Sequence, residues 1–176
     1  YQRSRGLGDV YKRQAFMQSM PFFGIIAISA TFVVTLGEID LSFPSIVGIT
    51  SLIFGIIMTS TDGNFFIAFI LATSLGMFAG LVNGLLVTKI GIPSIVATIG
   101  TLFFWRGLVN VISQGSGIAI VDVADGTWHH MIFVEKLFGK IPMQFIWFIV
   151  LTGLMQWVYR YPVSYTHLRA HETADN

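Results

Sequence analysis

The sequence predicts an all-α fold: a polytopic helical membrane protein of about five transmembrane segments with a helix break at 38–43. Three observations predict it. Hydrophobic residues make up 54% of the chain and charged residues 11%, where soluble domains carry about 25% charge. Mean hydropathy is +0.74. The apolar residues fall in runs of the length a spanning helix needs, about 20. Finally, Glu38-Ile39-Asp40-Leu41-Ser42 sets two carboxylates between two such runs. A carboxylate there is costly, and non-helical backbone at membrane depth is tolerated only where protein buries it or water reaches it. That combination predicts a structured break facing the protein interior.

The first segment covers about 16–37, with Pro21 near its start. The second covers 44–60 and opens with Pro44, a residue suited to a first helical turn. Thr61-Asp62-Gly63-Asn64 is a turn by composition. A third segment spans 65–87, and Lys89-Ile90-Gly91-Ile92-Pro93 connects it to a fourth at 94–112. Residues 114–141 read as a long loop of mixed polarity. The fifth segment, 142–159, ends at Trp157, Tyr159 and Arg160, an interfacial anchor set. The positive-inside rule puts Lys89 and Arg160 in the cytoplasm, and the break toward the same side.

Composition excludes several classes. A net charge of +1 gives no basic field for nucleic acid. Without cysteine there is no disulfide, thiolate chemistry or Cys-ligated metal. No glycine-rich phosphate loop, catalytic triad or metalloenzyme spacing is present, so no cofactor and no ATP site are expected.

The two ends look foreign. Residues 5–14 can be encoded by one DNA strand, and residues 163–173 by its reverse complement. That DNA resembles the transposase adapter used in sequencing libraries. Segments 1–14 and 162–176 are therefore expected to be adapter-derived and are set aside as processing scars. This leaves 15–161 as a partial transmembrane domain, expected to be a fragment of a longer protein.

Candidate residues carry two readings each. Glu38, Asp40 and Ser42 either line or gate a pathway, or Asp40 or Ser42 caps the second helix. A cap contributes about 1 kcal/mol, and negative charge favours that helix end. Arg106 in the fourth segment must pair, snorkel or face water; Asp122 and Asp125 are possible partners. Asn83 suits helix cross-linking or hydrogen bonding to a solute. Gly76, Gly80 and Gly84, at spacing four, predict a helix-packing seam. His129 and His130 are expected to be solvent-exposed loop residues rather than metal ligands.

The order of Glu38-Ile39-Asp40-Leu41-Ser42 with Ser45, Asn83-Gly84-Leu85-Leu86-Val87, Ile92-Pro93-Ser94-Ile95-Val96-Ala97-Thr98 and Arg106-Gly107 resembles the permease subunits of sugar-importing ABC transporters. The likeness is to the ribose, xylose and simple-sugar family and covers essentially 15–161. Phe43-Pro44-Ser45 departs from that family's usual Val-Gly-Ser, so the start of the second helix is expected to differ. The resemblance implies a bacterial inner-membrane subunit, not itself an enzyme, that moves a monosaccharide. The implied partners are a cytoplasmic ABC ATPase subunit, a periplasmic or extracellular sugar-binding protein, a second permease subunit and membrane lipid. An ion-coupled secondary transporter also suits broken helices with carboxylates. An intramembrane enzyme would need a nucleophile and base that the spans lack.

Overall fold

The computed structural model describes residues 2–160. The C-terminal segment 162–176, expected to be adapter-derived, lies outside the described residues. The helices run α1 (Gln2–Thr35), α2 (Phe43–Ser60), α3 (Phe65–Thr88), α4 (Ser94–Ser113), α5 (Val121–Ala124), α6 (Trp128–Phe133) and α7 (Met143–Arg160), with a short antiparallel hairpin of β1 (Lys136–Leu137) and β2 (Ile141–Pro142) before α7.

Four helices are long and apolar enough to cross a membrane: Lys12–Thr35, Phe43–Ser60, Phe65–Thr88 and Ser94–Ser113. The apolar stretch Met143–Val158 of α7 is shorter. The expected segments correspond to α1, α2, α3, α4 and α7. The first begins earlier than expected: α1 starts at Gln2 and includes the 2–14 stretch that reads as foreign. Pro21 lies inside it, where its missing N–H removes one backbone bond.

The helix break is present. Leu36 and Gly37 turn, with Gly37 at φ +78°, residues 38–42 are non-helical, and α2 begins at Phe43. Pro44 occupies the first turn of α2, where a missing N–H has no partner to lose. The predicted 61–64 turn forms through left-handed Asp62 and Gly63. Asn64 then caps α3 by accepting from the Ile67 N–H at 3.2 Å. Gly63 is required there: a Cβ would sit 2.7 Å from the Val123 carbonyl oxygen. The 114–141 segment, expected as loop, folds into α5, α6 and the hairpin, elements too short for hydrophobic periodicity to reveal.

The chain divides into two compact units. In unit 2, Gly37–Thr127, α2 packs against both α3 and α4. One core cluster joins Ile49, Ala79 and Trp105; a second, toward the Thr61 end, joins Met58, Ala68 and Ala124. Unit 1 joins the chain up to Leu36 with the chain from Trp128 onward. There α1 lies along α7, so close at Gly24 that a Cβ would fall 2.2 Å from the Phe148 ring. Trp147 of α7 stacks on Phe133 at 5.5 Å and donates its indole N–H to the Ile132 carbonyl at 3.0 Å, fastening α6 to the start of α7.

Candidate functional site

The break leaves backbone groups that no helix ladder satisfies, and side chains of α4 and of the start of α2 meet some of them. The Ile39 N–H donates to Ser94 Oγ at 3.3 Å, and the Ile39 carbonyl lies 3.4 Å from Thr98 Oγ1, a long contact that shares the hydroxyl's one proton. Thr98 also bonds the Ser94 carbonyl of its own helix at 2.7 Å. The Ser42 carbonyl accepts from the backbone N–H of Ser45 and Ile46 and from Ser45 Oγ, starting α2. Backbone at Ile39 and Ser42 thus finds partners without a continuous helix.

A chain of three side chains runs through this knot. Asp40 Oδ1 accepts from the Ser42 N–H at 2.7 Å and from Ser42 Oγ at 2.6 Å. Ser42 Oγ accepts from Asn83 Nδ2 at 2.7 Å. A hydroxyl has one proton to give. Since Ser42 gives it to Asp40, Asn83 must present its NH2, which fixes the amide's orientation. Ser42 is fully buried (0%), Asn83 is 6% exposed, and Asp40 is half-buried. Asn83 Oδ1 and Trp105 Nε1 are buried and have no hydrogen-bond partner among the described residues.

The expected cap takes a different form. Ser42 occupies the N-cap position of α2 but makes no side-chain cap bond. Its hydroxyl is engaged between Asp40 and Asn83, so the carboxylate holds the turn ahead of the helix instead. Asp40, Ser42 and Asn83 are brought together, with Ser94 and Thr98 beside them at Ile39. Ser94 and Thr98 lie in the Ile92–Thr98 motif, and nothing in its spacing marks them as partners of the break. Serine and threonine inside apolar helices are ordinarily back-bonded to their own helix, so spacing carries no sign of a second partner.

Glu38 is half-buried and forms no hydrogen bond or ion pair among the described residues. Arg106 is not in the knot. It is exposed on α4 beside exposed Phe103 and Phe104, and among the described residues it has no ion pair to Asp122, Asp125 or any other group. The glycine seam is displaced. The buried face of α3 is Ala68, Ala72, Ala79 and Asn83. Gly76 meets Thr50 Cγ2 at 3.4 Å, but Gly80 and Gly84 have nothing within 4 Å. Ala68 and Ala72 lie on the same spacing-four row as the glycines, but that row drifts about 40° per step around a helix, so the buried face passes to Ala79 and Asn83, one residue before Gly80 and Gly84.

The histidines also depart from expectation. They lie in α6, not an exposed loop, and His129 is 6% exposed. Burial, and secondarily the neighbouring His130, lowers the His129 pKa below its ordinary value. Among the described residues no group of three or more His, Cys, Asp or Glu could hold a metal. An open groove of about 570 Å³ lies between α2 and α3, lined by residues including Thr50, Ser51, Thr73 and Gly76, away from Asp40.

Residues 14–163 match a protein family described as branched-chain amino acid transport system / permease component. The chain belongs to this permease family. It is accordingly a multi-pass inner-membrane protein. Among similar curated proteins is the autoinducer 2 import system permease protein LsrC of Photorhabdus luminescens. It is 40% identical over 94 residues, which are 53% of this chain and 28% of the relative. The proteins of the same name from Yersinia pseudotuberculosis serotype O:3 (strain YPIII) and Yersinia pestis (strain Pestoides F) are each 39% identical over 94 residues, 53% of this chain and 26% of theirs. The matched stretch thus spans about a quarter of the permease relatives' length. No solved structure matches the permease.

Proposed function

We propose that this chain is part of the translocation-pathway subunit of an ATP-driven importer of a monosaccharide. The observation that carries the reading is the acidic break, hydrogen-bonded to α3 through buried Ser42, within a chain of the permease family. The family description and the names of the relatives are those of transport and import permeases. Their printed cargoes differ, so the sugar rests on the motif order around Asp40. ATP hydrolysis falls to a separate cytoplasmic ATPase, since this chain has no phosphate loop. A sugar-binding protein outside and a second permease subunit complete the assembly.

In this reading Asp40, Ser42 and Asn83 do no chemistry. They tie the break to α3, and Ser94 and Thr98 tie it to α4. Movement between inward and outward states shifts such a tie between two packings, biased by nucleotide and by the docked binding protein. Glu38, half-buried and without a hydrogen bond among the described residues, is a candidate for the water-facing mouth.

The test is uptake of a panel of labelled monosaccharides and amino acids by the full-length permease reconstituted with its ATPase and binding protein. Monosaccharide uptake that needs ATP and survives ionophores supports the reading. Uptake of amino acids only would overturn the cargo, and uptake abolished by an ionophore with ATP present would overturn the energy source. Asp40→Asn and Asp40→Ala, scored for uptake and membrane abundance together, separate charge from shape. If Asn is silent in both, the negative charge has no essential role in transport.

A further inference from the structure

The hairpin ahead of α7 takes no part in the pathway reading. Its strands pair Lys136 with Pro142 and Leu137 with Ile141. The turn is closed by the Lys140 N–H donating to the Leu137 carbonyl at 3.2 Å, with Phe138 at φ +51° and Gly139 at φ +68° between them. A left-handed turn suits Asn or Gly, and a bulky aromatic there is an outlier. Phe138 is nevertheless held at the tip, 89% exposed, with Leu137 and Ile141 exposed below it. Lys136 and Lys140 flank it, exposed and without an ion pair among the described residues.

The position of this tip selects its partner. Pro142 leads directly into apolar α7, and Trp147 fastens α6 to the first turns of that helix. At about 3.4 Å per strand residue, the Phe138 tip is within roughly 17 Å of the start of α7. It therefore sits at headgroup depth, where aromatics and snorkelling lysines are favoured.

We propose that the 136–142 hairpin is a lipid anchor in which Phe138 enters the interfacial layer while Lys136 and Lys140 hold the phosphates of anionic phospholipid. The apolar tip gains from burial, and the flanking charges complement the headgroups. Glu135, the one acidic neighbour, precedes the hairpin, and its N–H is engaged by the His130 carbonyl.

Phe138→Cys tests this, because the chain has no cysteine of its own. The full-length permease, with this as its sole cysteine and carrying an environment-sensitive fluorophore there, is placed in vesicles of phosphatidylcholine alone or mixed equally with phosphatidylglycerol. A blue-shifted emission, quenched by headgroup spin-labelled lipid more than by aqueous iodide and more so in the anionic vesicles, is expected. Lys136→Gln with Lys140→Gln should then shift the ratio of lipid to iodide quenching by about fivefold per lysine. Full iodide quenching in both vesicles overturns the proposal. So does an unchanged ratio in the doubly neutralised variant, or shielding that arises only when a purified binding protein is added. If Phe138→Cys is not monodisperse by size exclusion, Leu137→Cys gives the same readout.

Discussion

Ser42 is the residue on which the break turns. Its hydroxyl donates to Asp40 and accepts from Asn83, so removing it orphans a buried amide and takes one donor from a carboxylate. Interhelical hydrogen bonds in membranes are modest, averaging about 0.6 kcal/mol, but an unsatisfied buried group costs about 1–3 kcal/mol. Ser42→Ala is therefore expected to destabilise the full-length protein by about 1–2 kcal/mol. Asn83→Ala should add little on top, because the two share one contact. Thermal unfolding of the two single variants and the double variant in detergent checks this, and simple additivity would sever the link between the residues. His129 gives a pH prediction. Its folded pKa lies below the ordinary 6.5, so below that pH the unfolded state takes up protons that the folded state does not. Stability of the α6 region should hold above pH 6.5 and fall as pH drops below it. Hydrogen exchange of α6 amides at pH 7.5 and 5.5 reads the effect, and His129→Gln should flatten it.

Among elements, α3 departs from the glycine seam that its sequence predicts. Glycines at spacing four mark one face, yet the buried face carries Ala68, Ala72, Ala79 and Asn83. Enlarging Ala79, which touches Ile49 and Trp105, should overpack the α2–α4 unit by about 1–3 kcal/mol. Gly80→Ala places its Cβ in open space within that unit and should cost nothing there. If Ala79→Leu is tolerated and Gly80→Ala is not, α3 is turned about its axis relative to this description. The 61–64 turn offers a second check. Gly63→Ala combines φ +86° with a 2.7 Å approach to the Val123 carbonyl. It should loosen α5 from the Met58–Ala68–Ala124 cluster, read as faster exchange at Ala124.

For the molecule as a whole, the decisive quantity is how little of each spanning helix is covered. Between 6% and 22% of the residues in each apolar window are buried, and large apolar side chains such as Phe66, Met77, Phe103 and Val111 are exposed. In water such surfaces aggregate; in lipid they are at home. Reconstituted in vesicles, the spans of α2, α3 and α4 should exchange amide hydrogens far more slowly than residues 61–64 and 114–120. Uniformly fast exchange would rule out the membrane-spanning arrangement. The matched relatives are several times longer than the matched stretch, so transport is a property to measure on the full-length permease.

The class, the break and four of the five expected spans are legible in the one-dimensional pattern. Hydropathy over about 20 residues is a strong one-dimensional signal, and a carboxylate pair between two apolar runs, followed by Pro44, admits no continuous helix of ordinary cost. The sequence also supplied Asp40, Ser42 and Asn83 as candidates, one by one. Only the tertiary structure decided that these three form a single hydrogen-bonded chain, that Ser94 and Thr98 hold the other side of the break, and that Arg106, Gly80 and Gly84 do not face it. The reason is geometric: in an apolar helix every face has similar hydropathy, so periodicity does not say which face is buried. That choice is made by the partner helix, through contacts 41 to 59 residues apart in the chain.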